Sequence, residues 1–180
     1  LTHYKLYLLS KQRGLKMVTE SKIPKEAEIP STDFVIVGGT GDLALRKIFP
    51  ALFHRFLDGQ IPESCALIAA ARHVIPKEDF LEQLRPFCEE AIVTGDETDW
   101  QSFGARIQII GFNVKSGDGA SEIEQACLGT AAIPRVFYFA ISPALFADAC
   151  KTLERTGLKT DQTRLVVEKP MGNDLASAEA

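Results

Sequence analysis

The sequence lacks a long apolar segment and an excess of positive charge. Its 180 residues contain no apolar run approaching the roughly 18 residues that a membrane-spanning helix needs. The formal net charge is −4 at pH 7, which argues against binding to nucleic acid or to a membrane surface through charge. We therefore expect a cytoplasmic protein that has neither nucleic acid nor membrane as a partner.

The patterns of a metal site or a disulfide framework are also absent. The four cysteines Cys65, Cys88, Cys127 and Cys150 are scattered, no Cys-x-x-Cys pair occurs, and the three histidines do not cluster with them. We expect reduced, structural thiols and no bound metal. There is no internal repeat, and the length suffices for one domain with a real core.

The first 31 residues differ from the rest of the chain. Residues 1–16 carry four basic side chains and no acidic one, and the first methionine is Met17. We expect Met17 to be the natural start and residues 1–16 to be a translated leader. A targeting peptide is the alternative, although the apolar part Leu6–Leu9 is shorter than a secretory core of about 7–15 residues. We predict a flexible N-terminal extension over 1–31 and one folded domain over 32–180.

The most informative segment is a glycine turn between an apolar strand and a helix. Phe34–Val37 is predicted to be a strand, the turn Gly38-Gly39-Thr40-Gly41 follows, and a helix opens at Asp42. Glycines let the backbone approach an anion, while the free N–H groups and the helix dipole favour a phosphate. The glycine spacing is not G-x-G-x-x-G, but Ala44 at the last position still allows close packing of helix on strand. A plain structural turn is the alternative interpretation.

Apolar segments then alternate with helical ones along the chain. The further strands are predicted over Cys65–Ala71, Arg106–Ile110, Arg135–Ile141 and Arg164–Glu168. This alternation predicts an α/β fold, a doubly wound Rossmann-type parallel sheet with helices on both faces. The second and fourth strands are continuous apolar runs, so we expect both to be buried on their two faces.

The candidate ligand residues all fall at carboxyl ends of predicted strands, where ligands bind in such folds. Arg72 follows the second strand, where an acidic residue would hold the ribose 2′-hydroxyl of NAD. A cation there suits the 2′-phosphate of NADP, and a solvated arginine is the alternative. Asn113 and Val114 follow the third strand, where a nucleotide base could rest. Lys169 follows the fifth strand.

These motifs together resemble the glucose-6-phosphate dehydrogenase family in their order and spacing. The motifs are Gly38-x-x-Gly41-Asp42-Leu43-Ala44 followed by Lys47, then Arg72, then Phe137-Tyr138-Phe139-Ala140 with Pro143, and finally Glu168-Lys169-Pro170-x-Gly172. The resemblance covers about residues 33–180. It implies an NADP-binding coenzyme domain from which the C-terminal substrate and catalytic domain is absent.

The resemblance also implies roles for individual residues. The glycine turn would hold the pyrophosphate, with Thr40 and Arg72 near the 2′-phosphate and adenosine. Asn113 stands where family members often carry Asp. Lys169 would lie between nicotinamide and sugar and would therefore bind both coenzyme and substrate. The predicted cofactor-binding residues are Gly38, Gly39, Thr40, Gly41, Asp42, Leu43, Arg72, Asn113, Val114 and Lys169.

The reaction implied by the resemblance is oxidation of D-glucose 6-phosphate to 6-phospho-D-glucono-1,5-lactone, with hydride transfer to NADP⁺, in the oxidative pentose phosphate pathway. The family's general base is a histidine downstream of the lysine-proline segment. None of His3, His54 and His73 occupies that position. We therefore expect NADP binding without turnover from this chain, and a homo-oligomer, dimer or tetramer, for the full-length enzyme.

Three other interpretations are weighed against this one. Sugar dehydrogenases related to glucose–fructose oxidoreductase also pair a Rossmann domain with a Glu-Lys-Pro segment, but they usually carry G-x-G-x-x-G. Short-chain dehydrogenases need a Tyr-x-x-x-Lys pair, whose only match here, Tyr7 to Lys11, precedes the predicted fold. A non-catalytic NADP-binding module, such as a redox sensor, would equally lack a catalytic base.

Overall fold

The computed structural model of the protein describes residues 31–127 and 133–168. The strands are β1 Asp33–Val37, β2 Leu67–Ala71, β3 Ile107–Gly111, β4 Arg135–Phe139 and β5 Thr163–Val167. The α-helices are α1 Phe49–Leu57, α2 Lys77–Leu84, α3 Glu89–Thr94, α4 Glu97–Arg106, α5 Ala120–Ala126 and α6 Phe146–Arg155. A π-helical turn spans Ala44–Ile48, and two 3₁₀ turns span Arg85–Phe87 and Pro143–Leu145.

The five strands form one parallel sheet in the order β3-β2-β1-β4-β5. The chain winds outward from β1 to β3, crosses back over the sheet, and continues outward from β4 to β5. This order confirms the predicted doubly wound, Rossmann-type fold. Its switch point lies between β1 and β4, where the carboxyl ends of two diverging strands open a crevice for a ligand.

Two hydrophobic cores hold the helices to opposite faces of the sheet. One core joins Ile36 of β1 to the apolar sides of α1, α2, α3 and α4, including Phe53 and Phe103. The other joins Val35 and Val37 of the same strand to α5 and α6. Successive residues of β1 alternate between the cores because side chains alternate across a strand. β2 is buried at every position, as its apolar run predicted.

The helix after the glycine turn begins at Asp42, as predicted, but it does not continue as a regular α-helix. The N–H of Phe49 donates to the carbonyl of Ala44, five residues back, which makes the turn before α1 π-helical. Pro50 is the second residue of α1 and follows this π-turn directly. Proline has no N–H to donate to a preceding carbonyl, and the change from π-helical to α-helical bonding occurs at this point in the chain.

Two sequence-based expectations about the strands were wrong in detail. The third strand starts one residue later than predicted because Arg106 ends α4, where its guanidinium donates to the carbonyls of Ile61 and Cys65 at 2.9 and 3.0 Å. The fourth strand is not buried throughout. Val136 and Tyr138 are half-buried, since α5 and α6 cover only the opposite face of β4.

Several predictions fall outside the described residues. The N-terminal extension predicted over 1–31 lies there except for Ser31, and so does the segment Lys169–Gly172. Within 31–127 and 133–168, no helix is long and apolar enough to cross a membrane, and no group of His, Cys, Asp and Glu could hold a metal ion. All four cysteines are free, and burial raises the pKa of Cys88 and of Cys127 to about 12, which keeps both thiols protonated.

Candidate functional site

The glycine turn is fixed to the neighbouring strand by backbone hydrogen bonds. The N–H groups of Gly38 and Gly39 both donate to the carbonyl of Ala70 in β2, at 2.8 and 3.0 Å. The N–H of Gly41 donates to the carbonyl of Gly38 at 2.9 Å and closes the turn. The turn therefore lies directly beside the carboxyl end of β2.

Close approach of the two neighbouring strands explains why the first two positions are glycine. Gly38 has a φ of 84°, and a Cβ there would lie 2.4 Å from the carbonyl oxygen of Ala140, just after β4. A Cβ on Gly39 would lie 2.6 Å from the Cα of Ala69 in β2. The turn is thus packed closely against β2 on one side and against the end of β4 on the other, at the switch point of the sheet.

Unpaired backbone donors follow the turn. No hydrogen bond between described residues involves the N–H groups of Thr40, Asp42 or Leu43. Ala44 is fully buried, which confirms that a small residue lets the helix pack closely on the sheet. The carboxylate of Asp42 pairs with Arg46 one turn later on the exposed side. Free N–H groups at the start of a helix are the groups that bind phosphates.

A cavity of about 530 Å³ opens at the carboxyl ends of β2 and β3. The glycine turn and this cavity share β2, since the turn is bonded to Ala70 and the cavity begins at Arg72. Its volume lies in the range of sites that bind small ligands. The structure therefore brings together Arg72 and Asn113, which sequence reasoning had proposed separately. The lining residues are Arg72, His73, Gly111, Phe112, Asn113, Asp118, Gly119 and Glu122.

The side chain of Asn113 is hydrogen-bonded to the backbone of the loop that follows it. The Oδ1 atom of Asn113 accepts from the N–H groups of Lys115 and Ser116, at 2.9 and 3.4 Å. An aspartate could accept the same two bonds. The side chain of Val114 is buried in the core that contains α5, so contact with a coenzyme at this position would come from the backbone.

Sequence reasoning missed two acidic residues of this cavity, Asp118 and Glu122. The first lies in the loop after β3 and the second in the first turn of α5. Hydrogen bonds from the hydroxyl of Ser121 and from its own backbone N–H lower the pKa of Glu122. Neither acid belongs to a motif that the sequence analysis identified. The available indication was their place after a strand that ends at the site.

The carboxyl ends of β4 and β5 are joined by a side-chain hydrogen bond. The hydroxyl of Tyr138 donates to the carboxylate of Glu168 at 2.7 Å. Lys169 comes next in the chain and lies outside the described residues. Its assignment to coenzyme and substrate stays a prediction.

Comparison with known proteins decides the family. Residues 35–180 match the family model described as "Glucose-6-phosphate dehydrogenase, NAD binding domain". The chain belongs to the glucose-6-phosphate dehydrogenase family. The matched range agrees with the resemblance predicted over about residues 33–180. The family assignment also fixes the cofactor class as a nicotinamide dinucleotide and does not favour the three alternative interpretations.

Individual relatives agree with this assignment over most of the chain. The glucose-6-phosphate 1-dehydrogenase of Rhizobium meliloti is 36% identical over 148 residues, which are 81% of this chain and 30% of the relative. That of Bacillus subtilis is 33% identical over 163 residues, 87% of this chain and 32% of the relative. The chain thus spans about a third of the length of these relatives.

Solved structures of the family share the fold. A glucose-6-phosphate dehydrogenase "in complex with its substrate glucose-6-phosphate" superposes with a TM-score of 0.71 at 30% identity, covering 83% of this chain and 32% of that one. The Mycobacterium avium enzyme gives the same TM-score at 27% identity, with the same coverage. The doubly wound sheet described above is therefore the family's coenzyme domain.

Proposed function

We propose that this chain is the coenzyme-binding part of an enzyme that oxidises D-glucose 6-phosphate to 6-phospho-D-glucono-1,5-lactone and uses NADP⁺. The observation that carries the proposal is the cavity that joins Arg72 to Asn113 at the carboxyl ends of β2 and β3. The bound nicotinamide would accept the hydride. What this chain supplies is the binding and orientation of the dinucleotide.

The glycine turn fits a pyrophosphate. Its first two positions leave no room for a side chain, and the N–H groups of Thr40, Asp42 and Leu43 are free to donate. Gly41 differs from its neighbours, because a Cβ there would approach only the carbonyl oxygen of Gly38, at 3.1 Å. Gly41 is exposed, so this position faces the space into which the anion would enter.

Arg72 fits the 2′-phosphate that distinguishes NADP from NAD. Its side chain is exposed and forms no ion pair or hydrogen bond with the other described residues. A guanidinium presents several N–H donors in one plane and binds phosphate in two-pronged geometry. An arginine without a protein partner, at the end of the strand where the ribose lies in such folds, is available for that contact.

The sugar side of the site depends on Lys169. A relative of known structure binds glucose 6-phosphate as its substrate. In this chain we assign that contact, together with one to the nicotinamide, to the ammonium group of Lys169, which can donate to a sugar hydroxyl. We place the catalytic base outside this chain. We further propose a cytoplasmic, homo-oligomeric full-length enzyme in the oxidative pentose phosphate pathway.

Calorimetric titration of the chain with NADP⁺ and with NAD⁺ tests the cofactor assignment. Arg72→Asp should weaken NADP⁺ binding about 10- to 100-fold, because hydrogen bonds to charged groups contribute about 1.5–3 kcal/mol. NAD⁺ binding should change little. The matched control is Arg55→Asp, an exposed arginine near the end of α1 that pairs with Gln60 instead of lining the cavity.

Two results would contradict this assignment. Undiminished affinity of Arg72→Asp for NADP⁺ would remove the role of Arg72 at the 2′-phosphate. An equal loss of affinity for both coenzymes in Arg72→Asp would assign Arg72 to a part that NAD⁺ and NADP⁺ have in common.

Formation of NADPH from glucose 6-phosphate by the chain alone would contradict the placement of the catalytic base outside this chain.

A further inference from the structure

The cavity at the ends of β2 and β3 is lined by side chains of opposite charge. Arg72 and His73 line it just after β2, whereas Asp118 lines it from the loop before α5 and Glu122 from the first turn of α5. With His73 neutral, the charged side chains of the cavity sum to −1, since one guanidinium faces two carboxylates. This balance is unexpected for a site whose ligand would carry an additional phosphate.

Backbone packing holds the acidic wall in place. Gly119 has a φ of 87°, and a Cβ there would lie 1.7 Å from the carbonyl oxygen of Gly111, so the loop is pressed onto the end of β3. The N–H of Asn113 donates to the carbonyl of Asp118 at 3.0 Å. The hydroxyl of Ser116 donates to the carboxylate of Asp118 at 2.7 Å. The position of Asp118 relative to β3 is therefore determined by several contacts.

The second carboxylate, that of Glu122, is also held by hydrogen bonds. Glu122 lies in the first turn of α5, where the hydroxyl of Ser121 donates to it at 2.7 Å. That bond and its own backbone N–H lower the pKa of Glu122, so the group is ionised at neutral pH. Neither Asp118 nor Glu122 is in an ion pair with another described residue. Their charge thus acts on whatever enters the cavity.

We infer that Asp118 and Glu122 set the coenzyme selectivity of this domain, by weakening the binding of a 2′-phosphate relative to a 2′-hydroxyl so that the cavity admits NAD⁺ as well as NADP⁺. The inference rests on the proposed function and deepens it. Arg72 attracts the 2′-phosphate, and the two carboxylates opposite repel it. The 2′-hydroxyl of NAD⁺ carries no charge and is not repelled.

The expected size of the effect follows from the exposure of these side chains. Arg72, Asp118 and Glu122 are all exposed, so the interaction takes place largely through water. Two unit charges about 4 Å apart in water change an affinity about fivefold. Each carboxylate should therefore shift the ratio of the two coenzyme affinities about three- to tenfold, and salt should reduce the shift.

Titration of the chain with NADP⁺ and NAD⁺ before and after neutralisation tests this inference. The variants are Glu122→Gln, Asp118→Asn and the double variant, and Asp118→Asn retains an oxygen that can accept from Ser116. Each single variant should raise the preference for NADP⁺ about three- to tenfold, and the double variant should raise it further. Glu82→Gln is the matched control, because Glu82 is exposed on α2, on the opposite face of the sheet.

The dependence of the coenzyme preference on ionic strength distinguishes an effect of charge from an effect of packing. The additional preference of the double variant for NADP⁺ should be largest at about 0.01 M salt, where the Debye length is about 30 Å. It should nearly vanish at about 1 M salt, where the Debye length is about 3 Å. An unchanged ratio of affinities in a double variant that still binds both coenzymes would overturn the inference. Failure of the starting chain to bind either coenzyme would contradict the proposed function itself, and the inference with it.

Discussion

The same face of the sheet is covered over one half and half-exposed over the other. On the side of α1, the β1–β3 half presents Ile36, Leu67 and Ile107, each no more than 1% exposed. On that same side, the β4–β5 half presents Val136 and Val166, both half-buried. The register places these residues in continuous rows across the five strands. Burial on this side is therefore greatest at Ile36, Leu67 and Ile107, is partial at Phe34 and Ile109 of the same half, and is partial at Val136 and Val166 of the β4–β5 half.

The helices account for this difference. The four helices between β1 and β3 all pack on the side of Ile36, whereas α5 and α6 pack on the other side. Neither core includes Val136 or Val166 among its residues. The glycine turn and the cavity lined by Arg72 both lie in the β1–β3 half, so the proposed nucleotide site would be built on the part of the sheet that is packed on both faces.

Truncation of one apolar side chain in each half should give the largest contrast. Leu67→Ala in β2 should lower the free energy of unfolding by about 3–5 kcal/mol, because the side chain is fully buried and its loss leaves a cavity. Val166→Ala in β5 should cost less than about 1 kcal/mol, since water already reaches that side chain. Urea denaturation of both variants gives the two values.

Similar losses of unfolding free energy in Leu67→Ala and Val166→Ala would contradict the difference in burial between the two halves. They would show that another segment covers the β4–β5 half in solution. The m-value provides a control, because it should not change if only the stability of the folded state is altered.

The fold could be predicted from the sequence because local patterns agreed with global topology. The apolar runs around Val35, Ile68 and Phe137, separated by helical segments, leave few arrangements besides a doubly wound parallel sheet. The half-exposure of Val136 could not be predicted this way. An apolar run indicates that a strand can be buried on both faces, but the packing of helices from elsewhere in the chain decides whether it is.

Candidate site residues could be proposed from the sequence where the residue type is specific to its task. Gly38 was proposed from its place in the turn after the first strand and Arg72 from its place after the second strand, and the binding role of both stays a prediction. Asp118 and Glu122 resemble ordinary exposed acids of a loop and a helix. Only the turn at Gly119, which presses the loop onto β3, brings them to the cavity.

A side chain at position 39 should lower both the stability of the β1–β3 half and its affinity for the coenzyme. The Cβ of Gly39→Ala would lie 2.6 Å from the Cα of Ala69 and 2.8 Å from the carbonyl oxygen of Ile36, and these backbone atoms must shift. We expect a loss of up to about 3 kcal/mol in unfolding free energy, together with weaker binding of both coenzymes. Thermal denaturation and calorimetric titration measure the two effects.

Gly59→Ala provides the control for this substitution. Gly59 has a φ of 69° but no atom within 4 Å of its Cβ position, so only backbone strain of about 1 kcal/mol should result. Coenzyme affinity should stay unchanged, since Gly59 follows α1 at the other end of the sheet. If Gly39→Ala lowered the unfolding free energy no more than Gly59→Ala does, the close packing of the turn on β2 would be refuted.

The hydrogen bond between Tyr138 and Glu168 tests the half-exposed region directly, with the smallest expected effect. Both side chains are half-buried, so water can replace the bond, and its net contribution should be below about 1 kcal/mol. A double-mutant cycle with Tyr138→Phe and Glu168→Gln, followed by urea denaturation, isolates the coupling between the two groups. A coupling energy near 3 kcal/mol would indicate a dry environment instead. In that case β4 and β5 are covered in solution just as β1, β2 and β3 are, and the end of β5 that leads into Lys169 is held as firmly as the glycine turn.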